Sequence, residues 1–241
     1  MSIPIAYDPL SRLVNRHALP EFQREKTCLL TIDMDHGDVH PEFGIGALAR
    51  RKGMFDELAS YYEAVTEIIP RIRRLQDVGR ASGIEVVHTR WAELTRDGRD
   101  ACARNKSRGI AQPWTSQEAQ IVPEVAPVGD EIVFSKSTSS AFTGTNIDRV
   151  LTWMGIDTIV MVGVVTNGCV ELTARVAADL GYRVVLVGDA CAAHTAFLHD
   201  NALRRMDDGY IHVAQADEAA RAMQAAGGAA ALASASVAAP R

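Results

Sequence analysis

Six short runs of β-forming residues, each followed by a stretch with helical spacing, constrain this chain more than any other feature. They fall at 27–33, 85–89, 131–134, 158–164, 183–187 and 211–213. These runs are mostly apolar at successive positions, as strands buried on both faces must be. Between them, 70–82 carries Ile72, Leu75 and Val78 at helical spacing, with Pro70 in the first turn and Gly83 as a stop. The stretches 146–154, 169–180 and 195–207 follow the same pattern, and Gly155 and Gly181 sit where C-terminal caps are expected. A β-α unit repeated in this way predicts an α/β fold: a doubly wound, mostly parallel sheet in a Rossmann-like three-layer sandwich.

The remaining segments set the domain organisation. Residues 1–26 contain Pro4, Pro9 and Pro20 among scattered polar groups and read as an amino-terminal arm. Residues 27–226 form one domain, with 47% hydrophobic residues to supply its core. The tail, 227–241, is low in complexity and has almost no large apolar anchor. Two irregular stretches, 36–57 and 91–120, leave strand ends, where loops commonly build sites.

Charge and cysteine usage exclude several functions. A net charge of −5 argues against a nucleic-acid partner, because polyanion binding requires a basic face. Four cysteines without a C-x-x-C pair form no disulfide framework and imply a reducing compartment. The start, MSIPIAYDPL, lacks the pattern of a signal peptide, and the apolar run at 159–165 is too short to span a bilayer. The expectation is a cytoplasmic protein with no membrane partner.

Ligand clefts of open parallel sheets lie beyond the carboxyl ends of the strands. Three reactive side chains end strands here: Asp33, Lys136 and Cys169. At a helix amino terminus beside a lysine, the Cys169 thiol is expected to have a lowered pKa. Asp33 would accept the thiol proton and return it to a leaving group. The strand-to-helix turn at 163–169 offers backbone N–H groups to an oxyanion. Cys28 and Cys191 read as packing residues, and Cys102 as an exposed thiol in a charged loop.

These residues carry a resemblance. IDM at 32–34, K-x-x-x-S-x-F at 136–142 followed by Thr145, GVVTNGCV at 163–170 and GYRVVLVGDA at 181–190 resemble the signature blocks of the isochorismatase-like cysteine hydrolases. The resemblance implies Cys169 as nucleophile, Asp33 as general base and acid, and Lys136 as the cation that orients both. It also implies a cis peptide between Val164 and Val165, with the N–H groups of Val165 and Cys169 as the oxyanion hole. Ether-cleaving members generally lack the cysteine, so Cys169 favours amide hydrolysis. Metal-containing members carry a D-x-H pattern after the second strand, whereas this chain reads His88-Thr89-Arg90-Trp91. No metal and no cofactor are therefore expected. Relatives are usually homo-oligomers, which implies a dimer or tetramer.

The segment DMDHGDVH at 33–40 departs from relatives, which place an aromatic residue at the position of Asp38. Its acidic and histidine residues match no zinc spacing, and Asp38 or His36 is expected to bind polar ends of the substrate. His88, Arg90 and Trp91, leaving the second strand, are further substrate-binding candidates, together with Phe142 and Thr166. For His88 and Arg90 a plain structural role stays open. The expected function is a cofactor-free cysteine amidohydrolase that cleaves the C–N bond of a small carboxamide, ureido or carbamoyl compound through a thioester. The block at 166–170 is nearer to N-carbamoylsarcosine amidohydrolases than to nicotinamidases. The alternatives are a vinyl ether hydrolase of the isochorismatase type and a catalytically silent family member that binds a small molecule.

Overall fold

Strands β1 (Thr27–Ile32), β2 (Glu85–Trp91), β3 (Val133–Lys136), β4 (Thr158–Val164), β5 (Arg183–Ala192) and β6 (Ile211–Ala214) form one sheet in the order β3-β2-β1-β4-β5-β6. Every neighbouring pair is parallel. The computed structural model describes residues 19–207 and 211–237, with side chains described as far as residue 228. Most of the expected arm, up to residue 18, and the last residues of the tail lie outside these ranges.

The helices are α1 (His36–Val39), α2 (Gly44–Arg51), α3 (Ala59–Ser82), α4 (Ala103–Arg108), α5 (Ala141–Gly144), α6 (Ile147–Trp153), α7 (Glu171–Asp179), α8 (Ala196–Met206) and α9 (Ala216–Val237). All residues of β1 and β4 are buried, so both sheet faces are covered. Along β4 the two-residue period sorts side chains between the layers. Val160, Val162 and Val164 pack with Tyr61, Ile72 and Leu75 of α3 and Met223 of α9. Ile159 and Met161 pack with Leu151 of α6, Ala174 of α7 and Met206 of α8. The chain is thus a three-layer α/β sandwich, and its order reverses between β1 and β4, the switch point where such sheets bind ligands. Among the described residues, no helix is long and apolar enough to cross a membrane.

The element boundaries differ from expectation in instructive places. α3 begins at Ala59, and Pro70 lies inside it rather than in its first turn. A proline costs an interior hydrogen bond, but Tyr61, Tyr62, Val65 and Ile68 extend the buried stripe of Ile72 and Leu75, and this burial carries the helix through. The stretch at 36–57, expected to be irregular, folds into α1, α2 and a 3-10 turn at Phe55–Leu58. Helix α4 interrupts the second irregular stretch. β5 runs on to Ala192, so Cys191 lies within it and is buried.

One glycine sets how the central strands meet. Gly163 holds φ +116°, and a Cβ there would lie 2.1 Å from the Ile32 carbonyl oxygen. Only glycine allows β4 to pass this close to the end of β1. The β4–β5 register shifts at the same point, between Met161 and Gly163.

Candidate active site

The end of β1 delivers Asp33. Its backbone has φ +50°, a left-handed conformation that non-glycine residues seldom adopt. Its N–H donates to the Thr89 carbonyl, and the Thr89 hydroxyl donates to Oδ1 at 2.8 Å. Lys136, the last residue of β3, places Nζ 2.5 Å from Oδ2, with both side chains buried. Nζ also donates to the Thr138 carbonyl at 2.9 Å. Burial alone would push the ammonium down, yet the Asp33 carboxylate beside it outweighs that effect and holds Lys136 above its ordinary range. A buried ion pair of this kind is costly to open from either side.

β4 delivers the third group. After Val164 the chain passes through a cis peptide to Val165, then through one π-turn at Thr166–Val170 into α7. Cys169 lies in that turn, partly exposed, lines the same cleft as Lys136 and stands within electrostatic reach of the Asp33 carboxylate. The three groups expected to meet at the sheet edge therefore do meet there. The thiol, however, is pushed up, not down. Burial is the main cause, Lys136 opposes it, and Asp33 and Asp38 add to it. The Lys136 charge is already engaged by Asp33, and regular α-helix starts only at Glu171. The resting group is a neutral thiol poised on a carboxylate.

Cys169 opens onto a cleft of about 500 Å3, mouth included. Asp38 and Ile45 form one wall, Trp91 of β2 another, and Arg104, Asn105 and Arg108 of α4 a third. Lys136, Thr138 and Ser139 follow β3, Val165 and Gly168 flank the thiol, and His194 follows β5. Of the proposed substrate contacts, Asp38 and Trp91 reach this cleft. Asp38 is buried, and its carboxyl is pushed up to about 7 by burial and by Asp33, against the pull of Lys136 and Arg108.

Four other candidates do not line it. His88 lies inside β2 with its ring fully buried and Nε2 2.9 Å from Glu131 Oε2. Arg90 donates to the Ser135 hydroxyl and, through Nη1, to Gln120 Oε1 and the Ala119 carbonyl, bracing the loop. The cause is strand length: β2 extends two residues past Thr89, and alternation puts Thr89 and Trp91 toward the site but His88 and Arg90 away from it. Phe142 packs on Tyr182, ring centroids 5.5 Å apart, and buried Thr166 pairs with His199 Nδ1 at 2.8 Å.

The polar loop after β1 is explained by hydrogen bonding. Asp35 accepts from the Trp91 and Asp38 backbone N–H groups and from Gln112 Nε2, fastening α1 to β2 and to the loop. His36 Nδ1 lies 2.8 Å from the Gln120 carbonyl oxygen. No group of three or more metal-ligating side chains forms among the described residues. Sequence reasoning missed Thr89, Arg104, Asn105, Arg108 and His194. The available signal was the spacing of Arg104 and Arg108 one helical turn apart before Gly109, a left-handed helix stop.

Together, fold and cleft define an open-sheet α/β protein with a thiol, a carboxylate and an ammonium gathered at its switch point. A family model described as the isochorismatase domain matches residues 27–218. The chain belongs to the isochorismatase family of hydrolases. It is 34% identical to the N-carbamoylsarcosine amidase of an Arthrobacter species over 127 residues, covering 49% of this chain and 47% of that relative. Against the ureidoacrylate amidohydrolase of Methylorubrum extorquens it is 29% identical, covering 90% of this chain and 94% of the other. A cysteine hydrolase of Pseudomonas syringae superposes with a TM-score of 0.73 at 23% identity, over 86% of this chain and 97% of that one, a likeness of fold.

Proposed function

We propose that the protein is a cysteine-dependent amidohydrolase that cleaves the C–N bond of a small carboxamide, ureido or carbamoyl compound. The observation that carries this reading is the Cys169 thiol, open to a cleft and set beside the Asp33 carboxylate, which is itself paired with Lys136. Relatives named as amidases and amidohydrolases support the same chemistry.

In this mechanism Cys169 Sγ attacks the carbonyl carbon while Asp33 takes the thiol proton, so the thiolate forms only as the bond is made. Such a concerted transfer suits a thiol whose free anion the surroundings disfavour. Backbone N–H groups of Val165 and Cys169 hold the developing oxyanion, a contribution of about 10²- to 10³-fold per donor. Asp33 then protonates the departing nitrogen, and ammonia or an amine leaves. Water enters, gives a proton to Asp33 and cleaves the thioester, releasing the acid and restoring the thiol. Lys136 supplies the counter-charge that fixes the Asp33 carboxylate throughout.

Ammonia release across a panel of small amides, measured for wild type and Cys169→Ser, tests the proposal. The expected result is a loss of at least about 10³-fold in kcat in the variant. Equal turnover by both proteins would discard the thiol mechanism.

A further inference from the structure

The cleft has an uneven charge distribution that the triad does not account for. Lys136 is neutralised by Asp33 at 2.5 Å. Beyond that pair, the lining contains Arg104 and Arg108 but a single acidic group, Asp38. Burial keeps Asp38 partly protonated near neutrality, and no ion pair joins it to either arginine among the described residues. Arg108, half-buried, has neither a hydrogen bond nor an ion pair there, and Arg104 donates once, to the Ser139 hydroxyl at 3.1 Å.

The two arginines stand at i and i+4 on α4, with buried Asn105 between them also on the cleft wall. Like charges at this spacing weaken a helix, and α4 is six residues long. The arrangement costs helix stability unless an anion sits against it. His194 adds a third element: its Nε2 is buried without a hydrogen-bond partner. Burial and the two guanidinium groups push its proton affinity down, so a neutral imidazole faces the same space.

From this we infer that Arg104 and Arg108, with His194, form a carboxylate subsite, so that the amide opened at Cys169 is anionic. The inference rests on the amidohydrolase reading for the position of the scissile bond and adds the substrate class. Guanidinium forks match a carboxylate in a two-point hydrogen-bonded geometry that a lysine cannot reproduce. Preferred substrates are therefore short amides or ureido compounds ending in a carboxylate, and neutral diamides of the same length are poor ones.

The test uses malonamate, succinamate and N-carbamoylglycine, each against its neutral amide, with wild type, Arg108→Gln, Arg108→Lys and Arg104→Gln. Wild type is expected to favour the anionic member of the pairs. Arg108→Gln should lower kcat/KM for the anions about 10- to 100-fold, mainly through KM, the loss of a charge-assisted hydrogen bond. Neutral amides should lose far less, and Arg108→Lys should restore part of the loss. A preference of wild type for neutral amides, or an equal effect on both members, overturns the inference. Calorimetric binding of succinate to wild type and to Arg108→Gln reads the subsite without turnover. Weaker binding in the variant supports it, and unchanged binding refutes it. Succinate binding that depends on Arg108 in a protein that hydrolyses no amide would keep the subsite and sink the amidohydrolase reading.

Discussion

Asp33 combines demands that few side chains meet: a left-handed backbone, a hydroxyl donor from Thr89, an ammonium at 2.5 Å and a thiol. Asparagine tolerates the same backbone but cannot take the proton. Asp33→Asn is expected to keep the native circular dichroism spectrum and to lose about 10²- to 10⁴-fold in kcat. A variant that retains wild-type turnover would remove Asp33 from the proton path. Asp38 gives a second test through pH. Its carboxyl rises from 3.8 to about 7 on folding, so the folded chain binds more protons than the unfolded chain between those values. Stability therefore falls as pH rises through this window and levels off above about 7. Urea unfolding at pH 5 and pH 8 should show a smaller difference for Asp38→Asn than for wild type; equal differences would show that Asp38 does not titrate this way. That Asp33, Lys136 and Cys169 share one edge was readable because strand ends in a βα pattern converge there. The raised thiol was not, since burial and the neighbouring carboxylates come from segments distant in sequence.

Among the elements, the strands were the most legible, because β1 and β4 are buried along their whole length and mostly apolar, and little else fits such runs. Helix α3 is half legible: Pro70 reads as a first-turn proline, whereas the buried stripe from Tyr61 onward extends the helix upstream of it. Helix α4 showed itself only in the spacing of Arg104 and Arg108 before Gly109, since ARNKSR has no apolar periodicity. His88 and Arg90 show what alternation decides: β2 runs on to Trp91, so both side chains face away from the site while Thr89 and Trp91 face it. The tight crossing of β1 and β4 yields an expected outcome at this scale. Gly163→Ala would put a methyl group against the Ile32 carbonyl and force a positive φ on alanine. A loss of about 3 kcal/mol or more, or failure to fold, is expected. Unfolding at the wild-type denaturant midpoint would mean that β4 can retreat from β1.

At the scale of the whole molecule, β-α alternation announces a parallel sheet but not its strand order. The order β3-β2-β1-β4-β5-β6 depends on which crossovers pack on which face, a tertiary matter decided by alternate residues such as Val160 and Met161. The site follows from that order, since it sets the ends of β1 and β4 side by side and opens the cleft between them. The scaffold under the triad should then be the most persistent part of the protein. Hydrogen exchange is expected to free amides of β1 and β4 only through global unfolding, and those of α4 through local opening. Early exchange in β1 would contradict a rigid platform. The most direct measurement of the central claim is rapid-quench intact-mass spectrometry with a turned-over amide. The account predicts a transient mass increase equal to the acyl group, mapped to Cys169 and absent from Cys169→Ser. Catalysis without that adduct, or an adduct on another residue, would contradict it.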